Sequence, residues 1–87
     1  MDKIIKFEAS WCQPCKLLTE ELKNIEFPIE VLDIEDNPQA LDKHGIRGVP
    51  TLIFLKDGQE VNRVVGFVTK EKITELIKNT YGTELHN

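Results

Sequence analysis

The chain has 87 residues, of which 40% are hydrophobic and 30% charged, and its formal net charge is −4. This length predicts one domain over residues 1–87, and the composition excludes an intrinsically disordered chain. The scattered basic residues exclude a nucleic-acid footprint, and no apolar run is long enough for a secretory signal or a membrane helix. Both cysteines lie within one four-residue segment, which favours a reducing, cytoplasmic location.

The first part of the chain has the pattern of a strand, a helix and a second strand. Residues 3–8 are β-prone, and the segment after Ser10 has apolar residues at helical spacing, with Pro14 in its first turn. Phe27-Pro28 ends this helical pattern, and residues 29–34 are apolar and β-branched. About twenty residues separate the two strands, which predicts a right-handed parallel βαβ unit.

The remaining elements are marked by their caps and turns. Asn37 and Gly45 bound a short helix over residues 38–44, and Asp57-Gly58 indicates a hairpin between strands at 51–55 and 60–65. A last helix is capped by Thr69 and ends before Gly82, and the tail over residues 83–87 is predicted to fray. The order β-α-β-α-β-β-α predicts an α/β domain with a mixed four-stranded sheet.

The two cysteines form a Cys-x-x-Cys motif at the start of the first helix. Unpaired backbone N–H groups and the helix dipole favour a thiolate at Cys12, and Cys15 is close enough to attack a mixed disulfide formed there. We expect Cys12 to be the exposed nucleophile and Cys15 the more buried resolving thiol. Gln13 and Pro14 lie between them and should influence how stable the oxidised pair is relative to the reduced one.

A zinc site is the competing interpretation, because Cys-x-x-Cys also begins many zinc modules. Only His44 and His86 could complete a tetrahedral site, and they are far apart in the sequence. We therefore predict no metal, and a redox role for the cysteine pair.

Three separated segments resemble the thioredoxin family. They are the active-site motif over residues 10–16, the second signature over residues 47–51, and Lys56-Asp57-Gly58 together with Gly66. The resemblance implies a thioredoxin-like fold without the N-terminal strand and helix of full-length thioredoxins. It also implies that Pro50 is cis beside the disulfide, that Val49 pairs with an extended substrate segment, and that Trp11 and Gly66 border the substrate groove together with Gln13 and Pro14.

One position departs from the family pattern in a way that affects proton transfer. The resemblance places Lys6 where thioredoxins hold a buried Asp, and Val31 where they hold its Lys partner. Lys6 either lies beneath the active site and favours the thiolate, or emerges on a half-covered sheet face and pairs with Glu8. We favour the second, because an unpaired buried ammonium is costly. Resolution would then use water or a carboxylate such as Asp33.

These observations predict a thiol-disulfide oxidoreductase that reduces protein disulfides through a Cys12 mixed disulfide. No cofactor is needed beyond the Cys12–Cys15 pair, and the expected partners are disulfide-containing proteins and a thioredoxin-reductase-like flavoenzyme. We expect a monomer that binds neither nucleic acid nor membrane. The alternatives are a glutaredoxin-like protein, a dedicated electron donor to one enzyme such as a ribonucleotide reductase, and a non-catalytic binding module with the same fold.

Overall fold

The computed structural model describes residues 2–82. Strands and helices follow one another in the predicted order: β1 (Lys3–Glu8), α1 (Gln13–Leu22), β2 (Ile29–Asp33), α2 (Pro38–His44), β3 (Thr51–Lys56), β4 (Gln59–Val65) and α3 (Lys70–Tyr81). Within residues 2–82 no helix or strand precedes β1. The predicted tail over residues 83–87 lies outside the described residues, and the single domain over residues 1–87 stays a prediction.

The four strands form one mixed sheet in the order β2-β1-β3-β4. β1 is parallel to β2 and antiparallel to β3, and β3 and β4 form an antiparallel hairpin. At the hairpin turn Asp57 and Gly58 have φ angles of 52° and 81°. Two successive positive φ angles twist the turn in the same sense as the strands, which is why Asp-Gly suits this position. The predicted fold class is confirmed.

The helix ends agree with the caps read from the sequence, with one exception. The Thr69 side chain accepts the N–H of Lys72, and Gly45 and Gly82 take the left-handed conformation that ends α2 and α3. Asn37 occupies the N-cap of α2, but its side-chain amide donates to the Asp33 carbonyl at 2.8 Å instead of capping the helix. It thereby fixes the turn that leaves β2.

The sheet buries a hydrophobic cluster on each face. The first face, which is covered by α1 and α3, holds seven buried residues, namely Ile4, Leu18, Ile25, Leu52, Phe54, Ile73 and Ile77. The second face holds Ile5, Phe7, Ile53 and Leu55, against which Ala40 and Leu41 of α2 pack. Successive β1 side chains alternate between the faces, as strand geometry requires. Lys6 therefore shares the first face with Ile4 and lies beneath α1.

Candidate active site

The cysteines lie where β1 gives way to α1. Ala9 follows the strand and is 3% exposed, and its carbonyl accepts the N–H of Cys12 at 3.1 Å. This short turn makes Cys12 the N-cap of α1, with Pro14 in the first turn, where its missing N–H removes no helical hydrogen bond. The end of β1 and the start of α1 thus fix the positions of both cysteines.

Cys12 and Cys15 form a disulfide, with their Cα atoms 5.3 Å apart. The backbone N–H of Cys15 donates to Cys12 Sγ at 3.1 Å, so the cap bond of the helix goes to the sulfur itself. In the reduced protein this N–H and the helix dipole favour a thiolate on Cys12. The arrangement provides the anionic sulfur that disulfide exchange requires.

The two cysteines are less different in exposure than the sequence suggested. Cys12 is 4% exposed and Cys15 1%, so Cys15 is the more deeply buried, as expected, but the expectation of an exposed Cys12 is wrong. Ile34 and Val49, which arrive from distant parts of the chain, pack against the disulfide and Ala9. These contacts cover the sulfurs from the side.

A groove of about 160 Å³ lies beside the disulfide. Its lining combines Trp11, which is 67% exposed, with Ile34 from the turn after β2, Leu41 from α2 and four residues of the loop before β3, namely Ile46, Arg47, Gly48 and Val49. An exposed indole at the rim of an apolar groove offers contact area to an apolar segment of a partner. The structure therefore brings Trp11 and Val49 together, as the resemblance implied.

The Val49–Pro50 peptide bond is cis, as the resemblance also implied. The Pro50 carbonyl accepts the N–H of Gly66 at 2.8 Å, which ties the loop before β3 to the residue after β4. Gly66 has a φ angle of 97°, a conformation that side chains rarely adopt. Within residues 2–82 the main chain of Val49 makes no loop or cap hydrogen bond.

Lys6 is 1% exposed and lies under the first turns of α1. Its ammonium donates to Glu8 Oε1 at 2.6 Å, to the Cys15 carbonyl at 2.9 Å and to Thr19 Oγ1 at 2.5 Å. The predicted pairing with Glu8 is confirmed, but the predicted emergence on a half-covered face is wrong. Burial is tolerated because all three ammonium hydrogens have an acceptor.

The sequence patterns did not lead us to predict a role for Thr19. Its hydroxyl accepts from Lys6 and donates to the Cys15 carbonyl at 3.1 Å. The signal for it was available, because residues four apart lie on the same side of a helix, and Thr19 is four after Cys15.

Asp33 makes no hydrogen bond to the cysteines in the described part of the chain. Its carboxylate accepts the N–H of Glu35 at 2.8 Å in the turn after β2, and across the sheet it pairs in register with Glu8. Its suggested part in proton transfer stays a prediction.

The described residues contain no group of three or more His, Cys, Asp or Glu side chains that could hold a metal ion. His44 belongs to α2, and its ring contacts Phe7 with the ring centroids 5.8 Å apart. His86 lies outside the described residues. Among residues 2–82, the helices are all too short or too polar to cross a membrane.

Three comparisons with known proteins give the same family. The family model for thioredoxin matches residues 1–79. The chain belongs to the thioredoxin family. A thioredoxin of Chlamydia caviae is 40% identical over 79 residues, which cover 85% of this chain and 78% of that protein. A thioredoxin of Staphylococcus aureus is 37% identical over 81 residues, 86% of this chain and 78% of that protein.

The fold is shared as well as the sequence. A mutant thioredoxin from Halobacterium salinarum superposes with a TM-score of 0.85 at 30% identity, covering 99% of this chain and 78% of that one. Thioredoxins are oxidoreductases of protein disulfides and need no cofactor. The predicted family and the predicted class of enzyme are therefore confirmed, and the cysteine pair is the feature that suits this activity.

Proposed function

We propose that this thioredoxin-family protein reduces disulfides in other proteins, with Cys12 as nucleophile and Cys15 as resolving thiol. The observation that carries the assignment is the Cys15 N–H that donates to Cys12 Sγ at 3.1 Å. It gives Cys12, and not Cys15, a donor at the helix N-terminus, where an anionic sulfur is most favoured.

The reaction runs in two exchange steps. The Cys12 thiolate attacks one sulfur of the substrate disulfide, forms the mixed disulfide and displaces the other substrate sulfur as a thiolate. Cys15 then loses its proton and attacks Cys12 Sγ, which forms the Cys12–Cys15 disulfide and releases the second substrate thiolate. Two electrons pass to the substrate, and protons from water convert its two thiolates to thiols.

The groove beside the disulfide holds the substrate during these steps. An extended segment of the substrate pairs with the main chain of Val49, while Trp11 and Pro50 flank its cysteine. Gly66 leaves room for the backbone of that segment, because it has no side chain, and an added Cβ would point into open space. Gln13 and Pro14 are both exposed on the first turn of α1 and border the approach to Cys12.

A thioredoxin-reductase-like flavoenzyme returns two electrons to the Cys12–Cys15 disulfide and closes the cycle. We place the protein in the cytoplasm, because the cysteines form a redox pair and do not staple distant segments of the fold. The monomer expected from the sequence stays a prediction. In a reducing compartment such a pair is available as a dithiol for most of the time.

Trapping of the mixed disulfide tests this assignment. Cys15→Ser removes the resolving thiol, so a disulfide-containing protein such as insulin should remain linked to Cys12 and should be released by dithiothreitol. Cys12→Ser is the matched control and should form no adduct with the substrate. Reduction of insulin by the unaltered chain, driven by dithiothreitol, supplies the activity measurement.

Each alternative predicts a different outcome. An adduct on Cys15 in the Cys12→Ser variant would reverse the assigned roles. Turnover that depends on glutathione and glutathione reductase would favour a glutaredoxin-like activity. A Cys12→Ser, Cys15→Ser double variant that keeps full function in cells would contradict a redox role altogether.

A further inference from the structure

The buried Lys6–Glu8 pair has no part in the exchange steps described above. It lies on the first face of the sheet, whereas four residues of the substrate groove pack on the second-face cluster, and its ammonium donates to the Cys15 carbonyl at 2.9 Å. The Lys6 side chain is 1% exposed, whereas that of Glu8 is 31% exposed. The positive charge thus contacts the main chain of Cys15 and is the better shielded of the two charges from water.

The surroundings of Lys6 contain little else that could balance its charge. The first-face neighbours in register are Val31 on β2 and Leu52 on β3, which are both apolar. Thr19 on α1 is uncharged. Lys23, which follows α1, lines a second groove of about 330 Å³ together with Lys6, but it is exposed, and its ammonium is paired with Glu20 at 3.1 Å. Among the described residues at this place, Glu8 is therefore the countercharge in contact with Lys6.

A charge placed this way acts on the two oxidation states differently. The disulfide is neutral, whereas the reduced pair carries a thiolate, so a nearby ammonium stabilises the reduced state and a nearby carboxylate destabilises it. Because the ammonium is buried and the carboxylate is partly exposed, water and salt screen the carboxylate more strongly, so the two contributions do not cancel. The net effect of the intact pair favours the thiolate.

We propose that Lys6 and Glu8 are a pair of positioning residues that set the thiolate population and the reduction potential of the Cys12–Cys15 couple in opposite directions. Lys6 makes the couple more oxidising, and Glu8 moderates that effect. The inference rests on the proposed function only in that the cysteine pair is redox-active, and it is tested without any substrate protein.

Two variants of opposite charge give the decisive measurement. In a Cys15→Ser background, the pH dependence of Cys12 alkylation by iodoacetamide reports the thiolate directly. We expect Lys6→Met to lower the ratio of thiolate to thiol about threefold to tenfold, because an attractive charge is lost. Glu8→Gln should raise the same ratio about twofold, because the repulsive charge that is lost is partly exposed and therefore screened.

The redox equilibrium of the unblocked pair gives an independent readout. Against a dithiothreitol or glutathione buffer, Lys6→Met should shift the equilibrium towards the disulfide and Glu8→Gln towards the dithiol. A tenfold change in this equilibrium constant corresponds to about 30 mV in the potential of the two-electron couple. The signs of the two shifts matter more than their sizes.

Lys23→Met is the matched control, since it removes the same formal charge from an exposed lysine that lines this second groove together with Lys6. Its effect should stay within about 1.5-fold, because solvent and salt screen exposed charges. Lys6→Gln serves if Lys6→Met does not fold, because its amide can still donate to the Cys15 carbonyl.

A purely structural role for the pair predicts a different result. Loosening the start of α1 would weaken the Cys15 N–H bond to Cys12 Sγ in either variant, so both would lower the thiolate ratio. Shifts of the same sign in Lys6→Met and Glu8→Gln, or no shift in either, would overturn the proposal. Failure of insulin reduction with these shifts intact would instead count against the proposed function.

Discussion

The two faces of the sheet are covered very differently. On the first face α1 and α3 bury Leu18, Ile73 and Ile77 completely, whereas α2, the helix on the second face, contains no fully buried residue. A helix that buries its apolar side completely contributes most to the free energy of unfolding. We therefore expect the helices of the first face to contribute more to stability than α2 does, and the thin cover of the second face leaves room for a groove at its edge.

The active site uses both faces. The cysteines belong to α1, which covers the first face, yet the side chains packed against the disulfide include Ile34 and Val49, which also pack on the second-face cluster. Lys6 approaches Cys15 from the first face. The proposed substrate groove thus lies on the lightly covered face, and the charge of Lys6 lies on the heavily covered one.

The largest expected effect is a difference between the helices of the two faces in their contribution to the free energy of unfolding. Ile77→Ala on α3 removes a side chain that is 0% exposed, and it should lower the free energy of unfolding by about 2–5 kcal/mol. Leu41→Ala on α2 removes a half-buried side chain of similar size and should lower it by about 1 kcal/mol. Urea denaturation of both variants and the unaltered chain measures the difference. Equal losses would mean that α2 contributes as much as α3.

Most of the fold could be predicted from local signals. The residues that cap α2 and α3, and Asp57-Gly58 in the hairpin, act through their own backbone conformations, so a single sequence reveals them. The chemistry of Cys12 could be read for the same reason, because a helix N-terminus is a local feature. Element boundaries differed from the structure by only a few residues.

The environments of Lys6 and Cys12 could not be predicted in the same way. Burial of Lys6 depends on the angle at which α1 crosses β1, which brings Cys15 and Thr19 over the lysine. Burial of Cys12 depends on Ile34 and Val49, which are more than twenty residues away in the sequence. Both environments arise from tertiary contacts between two segments, and the sequence pattern of one segment does not indicate that it packs against the other.

A smaller effect tests how α3 is fastened to the first face. The Tyr81 hydroxyl lies 2.8 Å from the Leu55 carbonyl and 3.3 Å from that of Lys3, so it joins α3 to β3 and β1. Tyr81→Phe should lower the free energy of unfolding by about 1 kcal/mol near neutral pH. Thermal or urea unfolding measures the loss, and an unchanged midpoint would mean that the Tyr81 hydroxyl does not help to hold α3.

The same residue makes stability depend on alkaline pH. Burial, with a smaller contribution from Asp2, raises the pKa of Tyr81 from 10.0 to about 12. A folded-state pKa above that of the unfolded chain gives stability that is complete below about pH 10 and is lost as the pH rises through the folded value. The Tyr81→Phe variant should lose less stability over this alkaline range than the unaltered chain does.

For the substrate groove on the second face, we predict that a substitution alters substrate binding but leaves the redox equilibrium unchanged. Trp11→Ala removes an exposed indole from the groove rim and should raise the KM for insulin about threefold to tenfold. The redox equilibrium with dithiothreitol should not change, because Trp11 carries no charge. Leu17→Ala is the control, since Leu17, which lies on α1, is also exposed but does not line the groove. A change in potential with an unchanged KM would contradict the assigned role of Trp11.

The smallest effect concerns His44, which ends α2 on the second face. Burial of the ring lowers its pKa from 6.5, and the neighbouring charge of Lys43 lowers it further, while Glu60 opposes the shift. With a folded-state pKa below that of the unfolded chain, the unfolded chain takes up the proton first as the pH falls. Stability is therefore complete above about pH 6.5 and decreases as the pH falls through the folded value.

His44→Gln should remove this part of the acid sensitivity while leaving the stability near pH 8 almost unchanged. Urea midpoints measured across the acidic range for both chains give the comparison. If the lightly covered face exposes the ring of His44 to water in solution, the two pH profiles will be parallel. A flatter profile for the variant means that even the thin cover of α2 excludes enough water to disfavour a charge.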